Sequence, residues 1–350
     1  MFNFLVTRLI SGIMVLITVI ILISAIIYLA PVDPARLTFG QRTDTATLEA
    51  KRAQLGLDQP LYVQLIYYLR DISPIIIADK EFGDKSNYGI KVLMGSKALF
   101  FKKPYLRESY QSGRAVSTII MEALPKTIIL GFSALIISTF LGLFLGVIAA
   151  VFKGHILDNF IIALTTLGYS VPSYVSAIVL ALIFGYWLSD YTGLGIQGSI
   201  FELNDIGDPV IRWRNLILPS IALGVRSISI FAQLTRSAML DVLSMDYIRT
   251  AKAKGLDFKK IIKDHAFRNA LNPVATSVSG WFASILAGAF FVENVFNFRG
   301  IGDLTVTALT NYDIPVLLAC VILICSIFIF INLLMDFIYP LLDPKVKIEN

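Results

Sequence analysis

The stretch Thr127-Ile128-Ile129-Leu130-Gly131-Phe132-Ser133-Ala134-Leu135-Ile136-Ile137-Ser138-Thr139-Phe140-Leu141-Gly142-Leu143-Phe144-Leu145-Gly146-Val147-Ile148-Ala149-Ala150-Val151 contains no charged side chain. A helix rises 1.5 Å per residue, so about 20 apolar residues cross a hydrocarbon core roughly 30 Å thick. This run is long enough. Five more runs read the same way: Leu9–Ala30, Phe160–Leu188, Leu216–Leu240, Val274–Val292 and Ile314–Tyr339. Ser277, Ser279, Gly280, Ser284 and Gly288 dilute the fifth run in chain order; small residues of this kind serve close helix packing in a membrane. The pattern predicts an all-α polytopic membrane protein with about six spans.

Composition agrees. Of the 350 residues, 56% are hydrophobic and 16% charged, against about a quarter charged in soluble domains. Mean hydropathy is +0.73. The net charge of +5 would permit an anionic partner. The basic residues lie in loops between apolar runs and form no dense stripe, which argues against nucleic acid. Cys320 and Cys325 sit inside an apolar run, so no disulfide framework is expected. His155 and His265 are far apart, and no cluster has metal-ligand spacing. The first run follows Arg8 and ends at Leu29-Ala30-Pro31. It is longer than a signal-peptide core and lacks an A-x-A-like site, so it reads as an uncleaved span.

Loop charge gives orientation. The 241–272 loop carries Arg249, Lys252, Lys254, Lys259, Lys260, Lys263 and Arg268, and the tail carries Lys345 and Lys347. The loops after the third and fifth runs hold only Arg212 with Arg214, and Arg299. Both termini and the 241–272 loop are therefore expected in the cytoplasm. The organisation becomes a first span (1–30), an extracytoplasmic segment (31–125), a five-helix core (126–340) and a cytoplasmic tail (341–350). Within the outer segment, Thr45–Leu55 has a helical pattern ending at Gly56. Asp58 is expected to cap a second helix, with Pro60 in its first turn and Tyr62, Leu65, Ile66 and Leu69 on its apolar face. Ser73–Gln111 receives no fold.

The 241–272 loop is longer than a connection needs. Asp241–Lys254 reads as a helix, either continuing the fourth span or separate from it. Gly255 ends it through a left-handed turn. Asp257 caps a second helix with Phe258, Ile261, Ile262 and Phe267 as apolar positions, and Pro273 opens the fifth span. Two functions suit such a hairpin: lying on anionic headgroups, or docking into a soluble partner.

The residues Asp246-Tyr247-Ile248-Arg249-Thr250-Ala251-Lys252-Ala253-Lys254-Gly255-Leu256, followed by His265-Ala266-Phe267-Arg268-Asn269-Ala270-Leu271-Asn272-Pro273, resemble the cytoplasmic coupling motif of ABC importer permeases, in its peptide/nickel branch. Gly255 matches the motif's glycine and Ala251 its last alanine; Arg249 and Thr250 replace the rest of the Glu-Ala-Ala triplet. Other segments resemble that branch in order: Pro31-Val32-Asp33-Pro34-Ala35, Leu55-Gly56-Leu57-Asp58-Gln59-Pro60-Leu61, Leu124-Pro125-Lys126-Thr127, Glu293-Asn294-Val295-Phe296, Gly300-Ile301-Gly302, Asp313-Ile314-Pro315-Val316 and Leu342-Asp343-Pro344. Two features depart from it. Ser73–Gln111 is longer than the corresponding segment, and Arg299 stands where the family often has proline.

The resemblance implies a permease that pairs with a second, homologous permease to enclose a path for peptides, nickel chelates or another small solute. It also implies two cytoplasmic ATPase subunits that bind ATP and magnesium, and an extracytoplasmic binding protein. This chain has no G-x-x-x-x-G-K-[ST] motif and is expected to bind no cofactor and catalyse no reaction. Coupling to the ATPases falls on Arg249, Thr250, Ala251, Lys252, Ala253, Lys254, Gly255 and Leu256, whose basic members can alternatively hold lipid phosphates. Arg226 is a candidate for the translocation path, and Arg236 is expected to snorkel to the interface. Glu293 and Asp313 are candidate contacts for the binding protein. A secondary transporter would need intramembrane ionisable groups and repeated broken helices, and an intramembrane enzyme would need paired catalytic groups; neither pattern is evident in the sequence.

Overall fold

The computed structural model describes residues 2–29, 45–55, 57–79, 90–94, 97–204 and 206–342. The expected cap Gly56, the Pro31–Ala35 stretch, the Asp343-Pro344 end and the tail lysines Lys345 and Lys347 lie outside the described residues. The chain runs α1 (Phe2–Leu29), α2 (Thr45–Leu55), α3 (Leu61–Ile72), β1 (Ile75–Asp79), β2 (Ile90–Met94), β3 (Lys97–Phe101), α4 (Val116–Val151), α5 (Ile156–Ser170) and α6 (Ser173–Leu180). α6 passes into π-helical turns at Ala181–Trp187, followed by α7 (Ser189–Thr192), β4 (Phe201–Leu203), β5 (Pro209–Ile211) and α8 (Arg214–Leu243). α9 (Asp246–Ala253) and α10 (Phe258–Lys260) follow. α10 continues through π-helical turns at Ile261–Phe267 into α11 (Arg268–Val295); α12 (Ile301–Thr310) and α13 (Ile314–Leu342) end the chain.

α1, α4, α8 and α13 are each long and apolar enough to cross a membrane. Two bent pairs make six if each pair is one span. The helical class expected from the sequence holds, with two small antiparallel sheets added. In the first sheet β3 lies between β1 and β2, pairing Ile75 and Ile90 with Phe101. In the second, β4 pairs with β5.

Several boundaries differ from expectation. The run Phe160–Leu188 is not one rod: α5 and the Ser173–Trp187 helix meet at 113°. The reason is local. Val171, preceding Pro172, takes the extended conformation (φ −82, ψ 130), and Pro172 itself is extended at ψ 143. Proline lacks an N–H and disfavours helical backbone before it. The second span begins at Val116, so Pro125 lies inside α4 and does not open it. Pro219 and Pro273 are likewise interior to α8 and α11. Pro60 occupies the cap position before α3, while Asp58 accepts a hydrogen bond from Gln59 and caps nothing.

The chain forms two compact units. One comprises 1–9, 123–303 and 324–350; the other comprises 10–122 and 304–323. In the first, Leu130 and Ala134 of α4, Leu218, Ala222 and Leu223 of α8, and Ile285, Ala289 and Val292 of α11 form the main core. Glycines let the helices approach. A Cβ on Gly142 would lie 2.5 Å from the Phe231 Cβ, and one on Gly146 would lie 2.6 Å from the Ala232 carbonyl. This is small-xxx-small packing between α4 and α8. In the second unit Ile20 of α1, Tyr68 of α3 and Leu318 of α13 are buried together.

Candidate functional site

α9 is built to present one face. Its inner residues Ile248 and Ala251 are buried, at 0% and 7% exposure. They pack with Ala150 at the end of α4, Met239 and Val242 at the end of α8, and Ile261, Ala266 and Ala270 beyond the turn. Arg249, Thr250, Lys252, Ala253, Lys254 and Gly255 are exposed. The structure therefore turns Ala251 inward, and Leu256 packs against the same cluster. Of the eight expected coupling residues, six face out.

The turn is closed by a Schellman pair. The Leu256 N–H donates to the Ala251 carbonyl at 3.3 Å, and the Gly255 N–H to the Lys252 carbonyl at 3.0 Å. Gly255 takes φ +76, the left-handed conformation this motif demands. Beyond it, Asp257 holds the cap position without a side-chain capping bond. The fourth span ends at Leu243, so α9 is a separate short helix. The second loop helix is not separate: Phe258–Leu286 is one span segment that bends by 55° into Gly288–Val295. Asn269 ties the two arms, donating to the Tyr247 hydroxyl and the His265 carbonyl, each at 2.9 Å.

α8 carries the other candidate features. Between Leu218 and Val242 its exposed residues are Arg226, Gln233, Ser237 and Asp241, all polar. Their spacing of seven, four and four places them on one stripe. By contrast α1 exposes Ile10, Ile13, Met14, Ile17 and Ile21. Arg226 lies near the middle of α8, its guanidinium carbon 5.1 Å from the Tyr169 ring centre and 5.9 Å from that of Trp281. Arg236 does not snorkel. It forms an ion pair with the buried Asp158, a partner 78 positions away that no local pattern reveals.

Glu293 and Asp313 are turned into the protein. Glu293 is fully buried and accepts the N–H groups of Gly302 at 2.7 Å and Asp303 at 3.2 Å, at the start of α12. Thr127 accepts the neighbouring Ile301 N–H at 2.7 Å. A Cβ on Gly300 would collide with Glu293 Oε2 and Thr127 Oγ1. Arg299 adopts φ +57, which proline's ring forbids; the loop thus takes a path closed to proline at this position. Asp313 is 5% exposed and accepts the Ser109 hydroxyl and, at 3.0 Å, the Tyr110 N–H. Burial lifts the Tyr110 hydroxyl above its ordinary pKa, against the lowering influence of Arg107.

Among the described residues no group of His, Cys, Asp and Glu could hold a metal ion. Long apolar helices joined to a basic helical knob are the architecture of a multi-pass membrane protein. Residues 142–348 match the family of binding-protein-dependent transport system inner membrane components, and residues 1–131 match the N-terminal component of such systems. The chain belongs to this family: it is a non-catalytic, multi-pass permease subunit of an ABC-type importer. It is 32% identical to the glutathione transport system permease protein GsiC of Salmonella typhimurium, over 99% of both chains. It is 33% identical to the probable peptide ABC transporter permease protein y4tP of Sinorhizobium fredii, over 97% of both. A chain of the MetNI methionine ABC transporter in an inward-facing conformation superposes with a TM-score of 0.50 at 16% identity, over 64% of this chain and 96% of that one; this likeness concerns the fold alone.

Proposed function

We propose that this permease imports peptides, pairs with a second homologous permease, and is driven by two cytoplasmic ATPases through the knob at 249–256, with an extracytoplasmic binding protein delivering the solute. ATP and magnesium belong to the ATPases. Both termini and the 241–272 loop face the cytoplasm in this reading, as loop charge requires. The observation that carries it is the fusion of the knob to the bundle. The inner face of α9 is buried against the ends of α4 and α8, and the arm after Gly255 runs without interruption into the fifth span. A push on the exposed face of α9 is therefore delivered to three spans as rigid-body motion. Peptide as the solute is supported by the names of the relatives, and Arg226 lining the path by the polar stripe of α8.

The test is copurification with the ATPases, combined with import of labelled di- and oligopeptides by the complete assembly. Gly255→Arg is expected to abolish both association and import while leaving the permease folded. A variant that still binds the ATPases and still imports would overturn the coupling assignment.

A further inference from the structure

A cation near the middle of a span is costly unless an anion or water meets it. Among the described residues no carboxylate pairs with Arg226. Its guanidinium lies over two aromatic rings, Tyr169 from the last turn of α5 and Trp281 from α11. Cation–π contacts of this kind attract a guanidinium without supplying a hydrogen-bond acceptor to its N–H edges. Those edges form the fork that meets a carboxylate with two parallel hydrogen bonds. The side chain is exposed, and the residues that follow it on the same stripe, Gln233 and Ser237, are polar and exposed too. Hydrocarbon would not tolerate such a stripe.

We propose that Arg226, beside Tyr169 and Trp281, is a binding site for the terminal carboxylate of the solute in transit. The solute supplies the anion that none of the described residues provides. A resident Asp or Glu would occupy the fork permanently and compete with cargo; two aromatic rings contact the guanidinium without filling the fork. Tyr169 is three residues from Pro172, where the third span breaks by 113°. The site therefore draws on a bent span, α8 and the fifth span together, so that their relative motion alters it. This rests on the peptide-permease reading and specifies how the solute is recognised inside the bundle.

Trp281 is itself the probe. The assembled permease–ATPase complex, in phosphatidylcholine nanodiscs so that no anionic headgroup competes, is titrated with trialanine and separately with trialanine amide. The Trp281 emission is taken as the difference from a Trp281→Phe complex. Trialanine is expected to change that emission with millimolar affinity and the amide to bind about tenfold more weakly or worse, since a charge-assisted hydrogen bond is lost. Arg226→Gln is expected to remove the preference for the acid, and Arg226→Lys to keep part of it. An emission change equal for acid and amide, an unaltered preference in Arg226→Gln, or no response to trialanine would each overturn the proposal. Thermal unfolding of each variant complex distinguishes lost binding from lost fold. Import of trialanine by the complete assembly, measured in parallel, tests the permease reading separately: import without the contrast at Trp281 sinks only this site.

Discussion

Arg236 of α8 grips Asp158 of α5 with two parallel hydrogen bonds, Nε to Oδ1 at 2.7 Å and Nη2 to Oδ2 at 2.8 Å. The carboxylate is 2% exposed and accepts a third bond from the Gly154 N–H at 2.9 Å. It thus ties the turn after α4 to both helices. Removing Arg236 strands the buried Asp158 carboxylate, while removing Asp158 leaves a guanidinium that still reaches the surface. Arg236→Ala should destabilise the permease by about 3–5 kcal/mol and Asp158→Ala by somewhat less, whereas the apolar pair Asp158→Leu with Arg236→Met should recover most of the larger loss. Thermal unfolding of the purified complex measures it. Single variants as stable as the parent would show that the pair contributes nothing.

The glycine pair of α4 makes a steric prediction. Gly146→Ala brings a methyl within 2.6 Å of the Ala232 carbonyl and 2.5 Å of the Thr235 Cβ. Backbone cannot move aside as a flexible side chain can, so overpacking should cost about 1–3 kcal/mol. Gly146→Leu should prevent folded protein from accumulating in the membrane. Quantifying folded permease by size-exclusion profile tests both, and a normal profile for the leucine variant would contradict the close approach of α4 to α8.

Gly255 behaves differently. Nothing lies within 4 Å of a Cβ built there, yet its φ is +76. Gly255→Ala should therefore cost only about 1–2 kcal/mol, from backbone strain alone. Its unfolding midpoint should shift slightly, while Gly255→Arg should fail to copurify with the ATPases at a similar midpoint. If the arginine variant instead unfolded as readily as Asp158→Ala, the glycine would be serving the fold and not the coupling surface.

Asp313 is an internal acceptor for Ser109 and Tyr110. Asp313→Ala leaves a buried hydroxyl and a backbone N–H without their partner, a loss of about 1–3 kcal/mol for each group so stranded. Amide exchange should rise at Tyr110 and, because the Ser112 N–H donates to the Ser109 hydroxyl at 3.0 Å, at Ser112 also. Unchanged exchange at both amides would contradict the bond network.

What was readable in advance was local or additive. Apolar length needs no partner to be counted, so Thr127–Val151 announces a span by itself. The Gly255 turn was equally plain, because a left-handed helix end depends on a few consecutive residues. The start of α4 was not: Glu122 and Pro125 interrupt the apolar count, although the helix begins at Val116. The break of the third span had a visible cause in Pro172 but no visible magnitude, since a proline kinks or ends a helix according to what packs around it. Ala251 falls in the coupling set by motif but is buried in the structure, because a motif names residues without saying which side of a short helix is already occupied.

The sequence by itself determined that this chain is a multi-pass helical membrane protein and where a glycine-hinged basic knob interrupts its apolar runs; both follow from summed transfer energies and nearest-neighbour backbone geometry. Only the tertiary structure decided that Arg236 meets Asp158, that Glu293 and Asp313 turn inward, and that Arg226 comes close to the rings of Tyr169 and Trp281. Those pairings join residues far apart in the chain. A side chain's environment is set by the helices that close around it, and no single stretch of sequence contains them.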